Sequence, residues 1–359
     1  MRILHIITTI ERGGAEKQLV TLVRAQVSQG HEVSVFYLKG KPELKPVLLS
    51  IGVQVVGTPS QLISFLIFLM RHRKLLSGKD LMHAHLPAAE LLAALFGKKM
   101  PLVISRHNAQ PFFAKSKFIS HLMTSLIESR AQASIAISNA VRDYELKNKN
   151  WLSAKSIHVV HYGLELDTAP LKHNIIANGL VLNFLFIGRL VPQKDVPCLL
   201  NGFQAHLKKF PDDTLTIVGT GHLEKDLKKL CYKLRISDSV NWLGRIKDVD
   251  ELYPNFDVFV LTSLYEGFGL VLLEALSFGL PILAPNNSAI PEVIGKDHDA
   301  FFTTGDYKQL ALLMEKVHDH SFRKLLIRKQ NKRINTFDVN KMLKSISNVY
   351  LSAISSYQN

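Results

Sequence analysis

Short apolar runs alternate with stretches of helical periodicity along most of the chain, and this alternation limits the fold more than any other feature. Residues 1–9 read as a strand, 15–29 as a helix, and Gly30 precedes a second strand at 32–38. Further short strands are expected at 52–56, 81–85, 102–105, 134–137 and 157–160. After a linker at 168–179, a strand at 181–188 restarts the pattern, and TLTIVG, EKDLKKL, VNWLG, DELYPNF and VFVLTS continue it as strand, helix, strand, helix and strand. Strand, helix and strand in succession build a mostly parallel sheet with helices on its faces. A chain of 359 residues with 47% hydrophobic content exceeds one core of usual size. The expected fold class is therefore α/β, with two doubly wound, Rossmann-like domains at 1–170 and 171–340 facing across a cleft. Residues 338–355 keep helical spacing with no strand after them, so 341–359 is expected to pack back on the first domain as a helix.

Charge is uneven. The chain carries +14, and residues 1–170 hold 21 Lys/Arg against 11 Asp/Glu, compared with 23 against 19 in the rest. Such a field attracts phosphates in nucleotides, nucleic acids and lipids alike, so it names no partner. Cys198 and Cys231 lie far apart without metal-ligand spacing, which indicates neither a disulfide scaffold nor a zinc site and favours a reducing compartment. The opening MRILHIITTIERGG reads as a first strand, since no cleavage pattern follows its apolar run. The apolar run around 65–70 stops at Arg71, short of the ~20 residues needed to cross a bilayer. No transmembrane helix is expected.

SLYEGFGLVLLEALSFGLPILA buries two acids among apolar residues. Gly267 and Gly269 flank Phe268 between a strand and a helix, so the backbone can turn tightly and bring peptide N–H groups to a ligand. The helix starts near Leu270 and stops at Gly279, and Pro281 prevents it from resuming. Glu274 lies on that helix in apolar company, where a carboxylate needs hydrogen-bond partners, and ribose hydroxyls would serve. Glu266 precedes the helix and leaves room for another part of the same ligand. Without a ligand, Glu274 would bond neighbouring backbone N–H groups and Glu266 would be a solvated loop acid.

These motifs form an ordered set. ERGGAEKQL at 11–19, FIGRLVPQKD at 186–195, EGFGLVLLE at 266–274 and the trailing GLPILAPNNSAIPEVI resemble family 4 of the retaining, nucleotide-sugar-dependent glycosyltransferases, of bacterial polysaccharide or lipopolysaccharide type. The resemblance implies the GT-B fold. It also implies that Glu274 holds the nucleotide ribose, and that Glu266 with the amides of Gly267, Phe268 and Gly269 grips the donor sugar. Arg189 and Lys194 follow a strand and Gly188. Each alone reads as a surface cation, but the resemblance makes them the diphosphate clamp, stabilising charge that grows on the leaving group. Asp195 departs from a position where the family often has glycine. Gly13 and Gly14 precede a helix with Glu16 in its first turn, an arrangement that lets backbone approach diphosphate or acceptor. His107 follows the strand LVIS, at a strand's carboxyl end where ligands of open α/β sheets sit, and the resemblance places it near the donor sugar. Gly244 and Arg245 of WLGRI would border the base.

Other signals weigh less. His83 and His85 of MHAHLP also resemble a common pattern of that family but read as ordinary loop-end histidines and not as catalytic groups, and no third ligand is visible for a metal. Asp248 and Asp250 form an Asp-x-Asp, yet Asp250 reads better as an N-cap of a following helix. IVGTGHLEKDL lacks both GxGxxG and the P-loop lysine.

The expected activity is retaining, metal-independent transfer of a hexose or N-acetylhexosamine from a nucleotide sugar, with a uridine donor favoured, to a glycan or lipid-linked acceptor. The nucleotide sugar is a co-substrate and no other cofactor is expected. An epimerase or hydrolase of the same fold would form product from donor alone. A nucleic-acid-binding protein would need a stacking platform or recognition motif, and none is visible. A scaffold retaining only the fold ought to have lost Glu266, Arg189 or Lys194. Residues 61–76 and 109–123 combine apolar and basic side chains, and 71–130 carries ten basic against three acidic residues. The first run also suits a core-facing helix. The second makes an anionic membrane surface a candidate partner, with the enzyme resting on the cytoplasmic leaflet.

Overall fold

The computed structural model describes residues 1–57, 78–97, 100–108, 117–148, 157–165 and 181–358. The linker expected at 168–179 and the run at 61–76 lie outside them, as does much of 109–123. The chain divides into two compact units. The first is Met1–Glu165 with Phe337–Asn359, and the second is Leu166–Thr336.

Unit 1 holds a seven-stranded parallel sheet. Its strands are β1 (Arg2–Ile7), β2 (Glu32–Tyr37), β3 (Gln54–Gly57), β4 (Leu81–His85), β5 (Leu102–Arg106), β6 (Ala133–Ala136) and β7 (Ile157–Val159), in the order β3-β2-β1-β4-β5-β6-β7. Strand order reverses between β1 and β4, the switch point at which open α/β sheets bind ligands beyond their carboxyl ends. Helix α1 (Gly14–Ser28) follows β1 and buries Leu19, Leu22 and Val23 towards the sheet. A short α2 (Lys45–Ser50) leads to β3, and α3 (Pro87–Phe96), α4 (Lys117–Arg130) and α5 (Asn139–Asn148) follow β4, β5 and β6.

Unit 2 repeats the plan with six parallel strands, in the order β10-β9-β8-β11-β12-β13. These are β8 (Asn183–Ile187), β9 (Thr214–Val218), β10 (Val240–Gly244), β11 (Val258–Val260), β12 (Ile282–Pro285) and β13 (Phe301–Phe302). The switch point lies between β8 and β11. Helices α6 (Val196–Leu207), α7 (Glu224–Leu234), α8 (Leu270–Ser277), α9 (Ile290–Ile294), α10 (Tyr307–Lys316) and α11 (His320–Ile334) complete it. Phe184, Phe186, Phe203, Leu215 and Leu310 belong to its core.

The chain then returns to unit 1. Val339 N donates to Leu164 O and Leu164 N to Phe337 O, at 2.9 and 2.7 Å. Helix α12 (Val339–Gln358) buries Val339, Met342, Leu343, Ile346, Val349, Tyr350 and Ala353, the stripe of a 3.6-residue repeat. This stripe shares a core with Ile3, Leu22, Leu81, Val103 and Ile135. A Cβ at Gly163 would stand 2.8 Å from the Val339 Cα, so glycine is what lets the strands of chain meet there.

Two local expectations are corrected. DELYPNF is no helix: turns lead into a single 3-10 turn at Tyr253–Asn255 with Pro254 inside it, so Asp250 is not an N-cap. Asp195, by contrast, is one. It sits in the left-handed region at φ 43° and its side chain accepts from Cys198 N. That backbone conformation explains a preference for glycine at the position, and the cap offsets part of the strain. Asp195→Gly should be nearly neutral in denaturant unfolding, whereas Asp195→Ala should cost about 1–2 kcal/mol. Equal losses would show that the backbone conformation does not matter.

Candidate active site

In unit 2 the loops beyond β8 and β11 are tied together. Thr262 Oγ1 donates to Lys194 O at 2.8 Å, Gln193 Nε2 to Tyr265 O at 2.9 Å and Leu264 N to Gln193 O at 2.8 Å. Lys194 Nζ reaches Glu266 Oε1 at 2.5 Å, and Ser263 Oγ donates to the same oxygen at 2.6 Å. Both side chains are largely buried, so the ammonium and carboxylate answer each other's desolvation. Two residues expected to grip different parts of a ligand are thus direct partners, each positioned by the other. The side chain of Arg189, exposed on the same loop, makes no hydrogen bond or ion pair among the described residues. The loop after β12 supports them, since Ser288 Oγ accepts from Glu266 N at 2.8 Å and Asn287 Nδ2 donates to Ser263 O at 3.1 Å.

Gly269, at φ 89°, turns the chain into α8, and Phe268 is buried beside it. Glu274 is buried and accepts from Tyr253 Oη at 2.8 Å. Burial first, then the Glu274 charge, holds the Tyr253 phenol protonated. Tyr253 stacks on Phe278 at 5.0 Å. The sequence had offered no partner for Glu274, because Tyr253 lay in a segment read as helix. Gly219 and Gly221 have a packing reason: a Cβ would stand 1.9 Å from Gly188 O or 2.2 Å from Leu190 O. Gly244, at φ 64°, caps β10 and accepts from Gly219 N at 2.7 Å, with Arg245 exposed next to it.

In unit 1, Gly13 caps α1, and Glu16 folds back over it so closely that a Cβ there would lie 2.4 Å from Glu16 Oε2. Thr9 Oγ1 donates to Glu16 Oε1 at 2.5 Å, and Gly14 is exposed beside them. His107 lies just past β5, with Nδ1 against Tyr162 Oη and Nε2 at 3.3 Å from His85 Nδ1. Both ring nitrogens are therefore engaged inside the unit. Tyr162, whose phenol is held protonated by burial and by the Glu16 charge, stands between the glycine loop and His107. Sequence reading missed it, although it follows a parallel strand at the ligand-binding end.

His83 and His85 are not loop-end residues but buried members of β4. His83 and His85 do have a third histidine, because β1 and β4 pair in parallel with His5 opposite His83. Potential ligand atoms of His5, His83 and His85 lie within 4.8 Å of one another. Their nitrogens are spoken for, however: His5 bonds His85 and Gln26, His83 bonds Tyr350 and Ser105, and His85 bonds His5 and His107. A second group in unit 2 joins His206 and His318 through Asp213 Oδ2 at 2.6 and 2.8 Å. Asp213 Oδ1 accepts from Leu182 N, so this group fastens the start of β8 to α6 and to the turn after α10. Asp248 and Asp250 are exposed.

Two such doubly wound units define a GT-B protein. HepE from Anabaena, solved in complex with UDP-glucose, superposes with a TM-score of 0.83 at 22% identity, covering 98% of this chain and all of that one. The lipopolysaccharide outer core galactosyltransferase WaaB superposes at 0.70 with 20% identity, over 99% of this chain and 100% of that one. The family model "Glycosyltransferase Family 4" matches residues 12–168 and "Glycosyl transferases group 1" matches 178–334. The chain belongs to this glycosyltransferase superfamily, whose members move a sugar from a nucleotide sugar acting as co-substrate. An N-acetyl-D-galactosaminyltransferase of Campylobacter jejuni acting on an undecaprenol-diphosphate-linked glycan is 29% identical over 94% of this chain and 95% of its own length. An uncharacterized glycosyltransferase of Haemophilus influenzae is 44% identical, with the match spanning 29% of this chain and 30% of that protein.

Proposed function

We propose that the protein is a retaining hexosyltransferase that carries a hexose or N-acetylhexosamine from a UDP-sugar to a lipid-linked glycan, in polysaccharide or lipopolysaccharide assembly. The observation that carries this reading is the grouping of Arg189, Lys194, Glu266 and the turn Gly267–Phe268–Gly269 at the unit 2 switch point. Relatives support the donor and acceptor classes: HepE binds UDP-glucose, and the Campylobacter enzyme acts on a polyprenol-linked glycan. An Escherichia coli relative, 28% identical over 57% of this chain and 56% of its own length, uses UDP-Gal and a diphosphoundecaprenol acceptor.

Arg189 and Lys194 stabilise charge developing on the β-phosphate, and this is worth most where water is excluded. Glu266 holds a donor-sugar hydroxyl and keeps Lys194 aimed. Glu274, braced by Tyr253, binds ribose, and Gly244 with Arg245 borders the base. Gly13, Gly14, Glu16 and His107 form the acceptor-side surface of unit 1. The leaving diphosphate takes the acceptor proton in a front-face path, so the protein contributes position and charge. No metal takes part in this reading.

The deciding experiment incubates a panel of UDP, GDP, ADP and dTDP sugars with lipid-linked and soluble acceptors, with and without excess chelator. Transfer from a UDP-sugar that persists in chelator supports the reading. Activity abolished by chelator and restored by manganese rejects metal independence, and product from donor alone favours an epimerase or hydrolase. Glu274→Gln should chiefly raise the donor KM, whereas Glu266→Gln should lose more in kcat. Raised KM with unchanged kcat in both variants would reject that division.

We also propose peripheral attachment to anionic membrane. Ile119, Leu122 and Leu126 of α4 are 46%, 62% and 43% exposed and fall along one helical face. Among the described residues no helix is long and apolar enough to cross a membrane. Flotation with anionic but not neutral liposomes at low salt is expected. Absence of binding, with efficient glycosylation of soluble sugars alone, overturns this attachment.

A further inference from the structure

We propose that Gln26 is a positioning residue for His107, fixing through a buried chain of imidazoles which ring nitrogen of His107 accepts a hydrogen bond. This rests on the reading of His107 as part of the sugar-binding surface. The chain is continuous. Gln26 Oε1 contacts His5 Nε2 at 2.8 Å, His5 Nδ1 contacts His85 Nε2 at 2.9 Å, His85 Nδ1 contacts His107 Nε2 at 3.3 Å, and His107 Nδ1 meets Tyr162 Oη. From the other end of the amide, Gln26 Nε2 donates to Tyr350 Oη at 3.2 Å, Tyr350 meets His83 Nδ1 at 2.7 Å, and His83 Nε2 meets Ser105 Oγ at 2.8 Å.

Each link constrains the next. Burial holds His5 and His107 down at about 4 and His83 and His85 well below the usual histidine value, so all four imidazoles are neutral at pH 7. A neutral imidazole has one N–H and one bare nitrogen, whereas an amide has chemically distinct ends. With Gln26 Oε1 towards His5, His5 carries its proton on Nε2 and must accept at Nδ1. His85 then carries its proton on Nε2, and so does His107. Tyr162 therefore donates to a bare His107 Nδ1. Reversing the amide would reverse every proton in both arms, so no single link can change alone.

The consequence reaches a ligand. A cavity of about 30 Å3, room for one water-sized group, has Gln18, His85, Ser105, His107 and Tyr162 on its polar side and apolar side chains such as Leu22 and Ile346 over most of the rest. Gln18 is buried there, and its Oε1 has no hydrogen-bond partner. A sugar hydroxyl taking the place of the Tyr162 hydroxyl would meet an acceptor at His107 Nδ1. Gln26, without touching substrate, thus selects a donor hydroxyl at that point.

The test is long-range 1H–15N NMR of the 15N-histidine-labelled full-length protein, alongside steady-state kinetics. Wild type should show His5, His83, His85 and His107 as Nε2–H tautomers. Gln26→Leu should give mixed tautomers at His107 and an about tenfold lower kcat at unchanged donor KM, the size of one neutral hydrogen bond. Tyr350→Phe, which keeps the ring but frees the amide's donor end, should shift the tautomers in the same direction by less. A wild-type His107 protonated on Nδ1 overturns the proposal. So do unchanged His107 signals in Gln26→Leu, or retained zinc that perturbs His5, His83 and His85 together. His107→Ala separates the two readings: unchanged kcat there, with the tautomer pattern as described, removes His107 from the sugar site and leaves the amide-set chain standing.

Discussion

Replacing Arg189 by alanine is expected to lower kcat roughly a hundred- to a thousandfold and to leave the unfolding midpoint unchanged. The expectation combines two features of the residue: it follows β8 at the switch point, and it spends its charge on no protein partner among the described residues. Lys194→Ala should behave differently, because it leaves Glu266 with a nearly buried carboxylate and no cation. It should lose activity and stability together. Kinetics with a nucleotide sugar and thermal melts of both variants separate the cases. Arg189→Ala with wild-type kcat would remove the arginine from the phosphate site.

Acidification should destabilise unit 1. His5 and His107 titrate near 6.5 in an unfolded chain and near 4 when folded, so the unfolded state binds their protons first as pH falls. Their contribution is present above pH 6.5 and is lost towards pH 4, by about 3 kcal/mol each. His83 and His85 act in the same direction. Glu90 opposes them. Burial pushes its carboxyl up to about 7 despite the Arg106 guanidinium, so its contribution falls as pH rises from 4.5 to 7. Arg106 also faces Glu128 and Glu145 and cannot neutralise three carboxylates. Glu90→Gln should therefore steepen the acid loss. Hydrogen exchange of unit 1 amides at pH 7.5, 6 and 5 reads the effect, and protection independent of pH in that variant would show that the histidines are not held neutral.

Much of the architecture was legible because strands and helices announce themselves by period. The run at 81–85 appears as β4 with the same bounds, and 15–29 as α1 shifted by one residue. DELYPNF misled because its apolar spacing suits a helix while Pro254 permits only a short turn. At the candidate site, the positions of the glycine turn and of Glu266, Glu274, Arg189 and Lys194 could be read from motif and spacing. Their mutual bonds could not. Lys194 and Glu266 lie 72 residues apart, and Tyr253 and Glu274 lie 21 apart, so only the parallel strand order makes them neighbours. The His5 contact with His85 likewise depends on β1 lying beside β4, which no local pattern records.

The return of α12 to unit 1 has a consequence for synthesis. Unit 2 is complete at Thr336, whereas the core around Ile3, Leu81 and Val103 lacks one wall until Val339–Gln358 emerges. Domains commonly fold from the N-terminus as the ribosome delivers them. Here the order is inverted: the second unit has its full sequence at Thr336, while the first still waits for residues 339–358. A nascent chain stalled before residue 339 would expose the apolar floor that α12 covers, along with the buried histidines nearest Tyr350.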